Sequence, residues 1–210
     1  MMHKDNAYGP VDHLTHQAQG ARFTSKDSSS DRVLPDTALM DLSLLPRLGF
    51  RGPDAADYLQ QSKVALLPDQ ANHAKDVDEG LILRLSATEY WCLANIPKKT
   101  LDIAFNPEIP AQCYPLYCQQ SHAWFGLLGA TWVDILAKLC AVDLQPESFP
   151  AGSIVQTVAG RCSVIIVNHR LKDKPLFSLL CDVSYAEYLW TVLVDAMAEF
   201  SGKIIAIENY

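Results

Sequence analysis

Two Gly-x-x-Gly phrases are the first residues whose spacing suggests chemistry. Gly49 and Gly52 stand in LGFRGPDAADYL, and Gly126 and Gly129 stand in FGLLGATWVDIL. Glycine turns that lead into helices can cradle phosphates with backbone N–H groups. Neither phrase has the third glycine of a dinucleotide loop or the lysine of a P-loop. We therefore interpret Gly52 and Gly129 as structural turns from a strand into a helix, where backbone conformation and close packing require glycine.

Cysteine spacing gives no indication of a metal site. None of the six cysteines forms Cys-x-x-Cys, and the closest pair, Cys113 and Cys118, has no further Cys or His at a ligand spacing. Structural and catalytic zinc sites need such ligands in close groups. We expect buried free thiols that act as small apolar residues, and no metal.

Histidine and tryptophan offer weaker candidates. His122 begins a strand and has no acid at a spacing typical of general acid–base pairs. We interpret His122 as a structural residue or a contact with a partner protein, and His169 as part of a solvated turn. Trp132 does not share the apolar helical stripe of Leu136 and Cys140, which favours a second partner contact because tryptophan often anchors interfaces.

Catalytic and cofactor motifs are not found in the sequence. It contains no Gly-x-Ser-x-Gly elbow, no Gly-x-Gly-x-x-Gly and no P-loop. We predict no catalytic residue and no residue that binds a cofactor in this chain.

Composition narrows the classes of partner. The chain has 210 residues, 49% of them hydrophobic, and a net charge of -7. No dense Lys/Arg cluster is present, which argues against nucleic acid and anionic membranes as partners. No apolar run reaches the roughly 18 residues that a membrane span needs. The N-terminus MMHKDNAYGP has no apolar signal region, so we expect a cytoplasmic protein.

The predicted elements repeat. Residues 1–36 form a polar arm, which we expect to be disordered or wrapped around a partner. Residues 37–210 form a single unit of two repeats, about 39–110 and 111–207. Each repeat is predicted as β-β-α-β-β(-β)-α, which indicates an α+β fold with largely antiparallel sheets and helices on one face.

Apolar runs bounded by turn residues predict strands at 81–86, 89–94, about 113–120 and 122–129. Residues 66–80 are polar and are predicted to form a loop.

Two helix predictions can be checked directly against a structure. One is a short helix near 98–105, in the first repeat. The other is an amphipathic helix that begins with a capping box formed by Ser184 and Glu187. Its apolar stripe is predicted to start at Tyr185 and to run to Phe200.

The repeated phrase resembles a known family. RGPDAADYL at 51–59 is similar to the strand-turn-helix signature of the folate-binding domain of the glycine cleavage T-protein superfamily. Within that superfamily the chain resembles the sarcosine oxidase gamma subunit family over about residues 45–200. The phrases that carry this resemblance are SATEYWCL (86–93), SHAWFGLLG (121–129), KLCAVDLQPESFPAG (138–152), VQTVAG (155–160) and YAEYLW (185–190).

The resemblance implies a fold and a role. It implies two duplicated subdomains that exchange strands, and a non-catalytic accessory subunit of a flavin-dependent complex that oxidises sarcosine or another N-methyl amino acid. The implied partners are alpha, beta and small delta subunits. FAD, FMN, NAD and tetrahydrofolate are implied for those partners and not for this chain.

An alternative within the superfamily is a free-standing folate-binding protein, in one-carbon metabolism or iron–sulfur maintenance. The aminomethyltransferase motif N-G-G-x-x-D-D is not found near Glu79–Leu85. The iron–sulfur maintenance signature K-G-C-[FY]-x-G-Q-E has only a partial counterpart at Lys138-Leu139-Cys140. Both departures put independent folate chemistry in doubt.

Overall fold

The computed structural model describes residues 9–11, 14, 22–23, 34–62, 64, 66–78, 80–96, 98 and 100–207. Four α-helices lie within them: α1 (Ala55–Gln61), α2 (Cys118–Ser121), α3 (Trp132–Ala137) and α4 (Ala186–Ala198). The strands are β1 (Arg22–Phe23), β2 (Ala38–Asp41), β3 (Arg47–Arg51), β4 (His73–Val77), β5 (Gly80–Arg84), β6 (Glu89–Leu93), β7 (Tyr114–Leu116), β8 (His122–Leu128), β9 (Ile154–Ala159), β10 (Cys162–Leu171), β11 (Lys174–Asp182) and β12 (Lys203–Ile207).

The two sheets have the same internal strand order. The five-stranded sheet runs β4-β5-β6-β3-β7, and the seven-stranded sheet contains β9-β10-β11-β8-β2 in the corresponding order, followed by β12 and β1. A helix follows the equivalent strand in both, because α1 follows β3 and α3 follows β8. The α+β fold with duplicated subdomains, predicted from the sequence, is confirmed.

One strand of each repeat lies in the sheet of the other repeat. β2 precedes β3 in the chain but pairs antiparallel with β8, with Ala38 opposite Leu128. β7 precedes β8 in the chain but pairs antiparallel with β3, with Tyr114 opposite Arg51. The exchange joins the repeats through backbone hydrogen bonds, so neither sheet is complete without the other half of the chain.

Gly52 and Gly129 lie at the two strand-to-helix turns. Their φ angles are +132° and +109°, a region that side chains other than glycine rarely adopt. A Cβ atom at Gly52 would overlap the carbonyl oxygen of Gln112, and one at Gly129 would overlap that of Asp36. Gln112 and Asp36 lie just before the exchanged strands β7 and β2, so both glycines make room for an incoming strand.

The sheets pack face to face with helices outside them. One apolar cluster fills the space between the sheets and includes Trp91 and Trp124. A second cluster packs α3 and α4 on the outer face of the seven-stranded sheet, and a third packs α1 on the outer face of the five-stranded sheet. Each sheet has an apolar cluster on both of its faces. This is possible because successive side chains of a strand point to opposite faces of the sheet.

Three local predictions were wrong. Residues 101–110 have no regular structure where the helix near 98–105 was expected, and residues 73–77, expected as a loop, form β4. The capping box of α4 does not form, since Asp182 accepts hydrogen bonds from both the backbone N–H and the hydroxyl of Ser184. That contact instead closes a 3₁₀ turn at Val183–Tyr185, and α4 begins one residue later.

The described part of the N-terminal arm lies against the rest of the chain. Val11 is fully buried in the cluster beneath α3 and α4, and β1 pairs parallel with β12. Most of residues 1–36 lies outside the described residues, so the wrapping of this arm around a partner stays a prediction. Among the described helices, none is long and apolar enough to cross a membrane.

Candidate partner interface

Trp132 is not available for a partner, which corrects the interpretation of this residue as a contact. Its side chain is fully buried in the chain's own core, and its indole N–H donates to the carbonyl oxygen of Ala38 over 2.8 Å. Ala38 opens the exchanged strand β2. Trp132 therefore lies off the stripe of Leu136 and Cys140 because it attaches α3 to that strand.

His169 is buried, which corrects its interpretation as part of a solvated turn. It lies on β10, which continues to Leu171, and its Nε2 is 2.8 Å from the hydroxyl oxygen of Ser178 on β11. The indole N–H of Trp124 donates to the same hydroxyl over 2.8 Å. Burial lowers the pKa of His169 to about 4, so the ring is neutral at pH 7 and its Nε2 can accept a hydrogen bond from the hydroxyl of Ser178.

Because His169 is buried, we predict that the protein loses stability in acid. Since its pKa is lower in the folded than in the unfolded chain, the contribution is complete above the unfolded value of about 6.5 and is lost as pH falls toward 4. Between about pH 7.5 and about pH 5 we expect this residue to remove about 2 kcal/mol of unfolding free energy. Urea unfolding of the wild type and His169→Gln at both pH values measures it. An equal loss in both chains would contradict the prediction.

Arg47 joins the two crossover segments, which are the stretch of chain after β2 and the stretch after β7. It is 3% exposed, and burial lowers its pKa to about 10, so it is charged at neutral pH. Its guanidinium donates to five backbone carbonyl oxygens, two in the segment after β2 and three in α2 and the start of β8. The acceptors are Ser43, Leu45, Cys118, Gln119 and His122. The sequence contains no motif that marks this arginine.

His122 lies at the edge of a groove on the seven-stranded sheet. The groove has a volume of about 400 Å³ and is lined from β8, β9, β10 and β11 by residues that include His122, Gln156, Val158 and Ser163. The ring of His122 meets the indole of Trp91 edge-on at 4.8 Å, and its Nδ1 is 2.9 Å from the hydroxyl of Ser121. Burial lowers the pKa of His122, which favours a neutral ring.

Exposed aromatic and aliphatic side chains lie around the end of the seven-stranded sheet at which β8 begins and β11 finishes. Strand register places Val158 opposite Ser163, and Asp182 opposite His122, in one row across β9, β10, β11 and β8. Three strand spacings make this row about 14 Å long. We call the surrounding surface the tyrosine rim, formed by Tyr117, His122, Val158, Val183, Tyr185 and Tyr188. Except for half-buried His122, these side chains are 42–68% exposed.

The sequence pattern did not predict that the side chains of the tyrosine rim are exposed. Tyr185 has the spacing of the buried stripe of α4, but the 3₁₀ turn at Val183–Tyr185 comes before the helix and directs its side chain to solvent. Tyr117 was placed in a strand, whereas it lies at the start of α2. The apolar type of these residues was visible, but their exposure depends on turns that the sequence pattern did not reveal.

The described residues were searched for side chains that could ligate a metal ion. They contain no group of three or more His, Cys, Asp or Glu side chains placed to hold a metal ion. All six cysteines are buried and free, and burial raises the pKa of Cys118 to about 11 and that of Cys181 to about 12. In the same part of the chain every buried side-chain nitrogen or oxygen has a hydrogen-bond partner, so no orphaned polar atom points toward an absent group.

A known protein family matches part of the chain. Residues 116–199 match the model of the sarcosine oxidase gamma subunit family. The predicted resemblance to that family is confirmed. The matched segment contains the whole tyrosine rim and all strands of the seven-stranded sheet from β8 to β11.

Two solved structures share the fold. One is a chain of the heterotetrameric sarcosine oxidase from Corynebacterium sp. U-96 in complex with pyrrole 2-carboxylate, with 22% identity and a TM-score of 0.66 over 93% of this chain and 96% of that chain. The other is glycine cleavage system aminomethyltransferase T from Bartonella henselae, with 14% identity and a TM-score of 0.61 over 93% of this chain and 58% of that chain. A search of curated proteins found no match. The T-protein-like fold predicted from the sequence is thus confirmed.

Proposed function

We propose that this chain is a non-catalytic accessory subunit, of the gamma type, in a heteromeric flavin-dependent oxidase of sarcosine or another N-methyl amino acid. The match of residues 116–199 to the gamma subunit family carries the proposal. Its likeness to a sarcosine oxidase chain of similar length supports it, since 93% of this chain aligns with 96% of that one. The role of the chain is to cover and rigidify larger subunits.

The cofactors belong to the partner subunits in this proposal. FAD, FMN, NAD and tetrahydrofolate bind to the alpha and beta subunits, and a small delta subunit completes the assembly. The chain contributes surface rather than chemistry. In support, the buried polar side-chain atoms of the described residues have hydrogen-bond partners, and the six thiols lie inside the apolar clusters.

Co-expression tests the proposal. The tagged chain is produced together with the alpha, beta and delta subunits of the sarcosine oxidase of the same organism and recovered by affinity capture. We expect a stoichiometric yellow complex that releases peroxide when sarcosine is added. Recovery of the tagged chain alone, from cells in which the flavin subunits are soluble, would contradict the proposal.

A second candidate function rests on the groove beside His122. At about 400 Å³ it falls within the size range of small-molecule sites, and a free-standing folate-binding protein would use it. Titration of the isolated chain with tetrahydrofolate, followed by tryptophan fluorescence, tests this function, because Trp91 contacts His122 at the edge of the groove. No change in fluorescence at millimolar ligand would exclude it.

A further inference from the structure

We infer that a larger subunit adds an extended, uncharged segment of its own chain to β9, an edge strand of the seven-stranded sheet. The inference rests on the proposed function and deepens it, because it assigns the contact between subunits to one strand. We call the side of Gln156 and Val158 that points away from β10 the open edge.

The register of β9 shows which of its backbone groups point out of the sheet. β9 and β10 are joined by a two-residue turn, residues 160–161, with φ angles of 55° and 70°. Such a turn closes on a hydrogen-bonded pair, here the last residue of β9 and the first of β10, and bonded and non-bonded pairs then alternate. The N–H and C=O groups of Val155 and Thr157 therefore face β10. Those of Gln156 and Val158 face away from it.

β9 is covered at both of its ends and open in between. The N–H of its first residue donates to the carbonyl oxygen of Asn72, and the N–H that follows its last residue donates to that of Leu139, each over 2.9 Å. Between these contacts, the described residues offer no partner to the N–H and C=O of Gln156 or to the N–H of Val158. The gap is about 20 Å long, so a segment of about three or four residues fits into it.

The composition of β9 differs from that of the other edge strands. Sheet edges are normally protected against pairing with other chains by charged residues or proline. Such residues are Lys75 and Asp76 on β4, Pro115 on β7 and Arg22 on β1. β9 reads IVQTVA, which contains no charged residue and no proline, and three of its residues are β-branched types that favour strands at its open centre and start. An edge of this kind is suited to pairing with another chain.

A groove beside the open edge indicates the chemistry of the added segment. It has a volume of about 400 Å³, and Gln156 and Val158 both line it. When a strand is added to a sheet edge, main-chain hydrogen bonds supply affinity, and pockets beside the edge select alternate side chains. None of the described residues that line the groove is Asp, Glu, Lys or Arg. A charged side chain would lose hydration there without gaining an ion pair, so the segment is uncharged.

A second copy of this chain fits the open edge less well than a projecting segment does. Asn72 and Leu139 contact the two ends of β9 from the position that a neighbouring strand would take. A second copy would bring its own β9 together with the same flanking residues, and this stretch is longer than the gap. The flanks of the two copies would collide before their strands reached the spacing of about 4.8 Å that pairing needs.

Substitutions at Val158 test the inference in the co-expressed complex. Val158→Pro removes the outward N–H and leaves the bonds to β10, whereas Val158→Lys adds the kind of charge that protects other edges. We expect each variant to recover at most about a tenth of the wild-type flavin per tagged chain. Val158→Thr is the matched control, because threonine keeps the N–H and the branched shape, and it should recover the wild-type amount. Circular dichroism and thermal unfolding check that all three variants fold.

Hydrogen exchange resolved to single amides gives a second readout on the wild-type chain. In the isolated chain we expect the amides of Gln156 and Val158 to exchange rapidly, and those of Val155 and Thr157, which face β10, to exchange slowly. In the complex the first two should slow by at least about tenfold, while the other two change little. Unchanged exchange at Gln156 and Val158 on assembly would contradict the inference.

The outcomes separate this inference from the proposed function. Failure of the wild-type chain to recover flavin subunits would overturn both. Equal recovery by the wild type and Val158→Pro would overturn the inference alone, since the chain would then be a subunit that docks elsewhere. Slow exchange at the open edge in the isolated monomer would show that the chain's own N-terminal arm covers it. Slow exchange that appears only on self-association would assign the edge to a second copy, and either result would overturn the inference.

Discussion

A chain with Gly129→Ala is expected to lose about 3–5 kcal/mol of unfolding free energy, from backbone strain at positive φ together with steric overlap. The φ angle of Gly129 is +109°, and its new methyl group would meet the carbonyl oxygen of Asp36. That oxygen cannot move away easily, because Lys174 donates hydrogen bonds to the carbonyl of Leu34 and the carboxylate of Asp36. Urea unfolding measures the loss, which is a large part of the stability of a typical domain.

Two glycines serve as comparisons for this prediction. Gly52→Ala should cost a similar amount, because Gly52 makes the equivalent turn against Gln112. Gly202→Ala should cost less, about 1 kcal/mol, because the atoms nearest to the added methyl belong to the side chain of Met197 rather than to backbone, and the site is not at positive φ. A Gly129→Ala chain as stable as Gly202→Ala would contradict the role assigned to the turn.

Arg47→Met is expected to lose a similar amount, about 3–5 kcal/mol, because the substitution leaves several buried carbonyl oxygens without a donor. Methionine fills much of the volume of arginine but donates no hydrogen bond. The five acceptors lie in the two crossovers that exchange β2 and β7 between the repeats. We expect hydrogen exchange to show that β7 opens before the seven-stranded sheet does.

Arg84→Met is the matched control for this substitution. Arg84 also donates to four backbone carbonyl oxygens, those of Pro68, Asp69, Ser86 and Ala87, but its side chain is partly exposed. Water can replace its hydrogen bonds, so the expected loss is about 1 kcal/mol or less. Equal losses for both variants would show that the burial of Arg47 and its place between the crossovers do not matter.

Local patterns predicted much of the fold. The repeated Gly-x-x-Gly phrase indicated a duplication, and the two sheets have the same internal strand order. Strands such as β5, β6 and β8 were found from their apolar runs and turn residues. The exchange of β2 and β7 did not follow from periodicity, since pairing between distant strands leaves no local trace; the family resemblance supplied it.

The site was less accessible to sequence reasoning. Trp132 and His169 were both misplaced because their surroundings depend on tertiary contacts. Trp132 donates a hydrogen bond to Ala38, 94 residues away, and His169 forms a hydrogen bond with Ser178, which in turn accepts one from Trp124. His122 was identified as a candidate contact, and it lies in the rim, where its role stays a prediction. Tyr185 was placed in the core because the helical period was extended through a 3₁₀ turn.

Native mass spectrometry of the captured complex tests the central claim most directly. If the chain is an accessory subunit, the assembly should contain one copy of its 23.3 kDa mass together with the alpha, beta and delta subunits. After mild dissociation, flavin should remain with the larger subunits while this chain is released without bound cofactor. Release of this chain with a flavin or a folate attached would contradict the account, as would its recovery only as a monomer or a homo-oligomer.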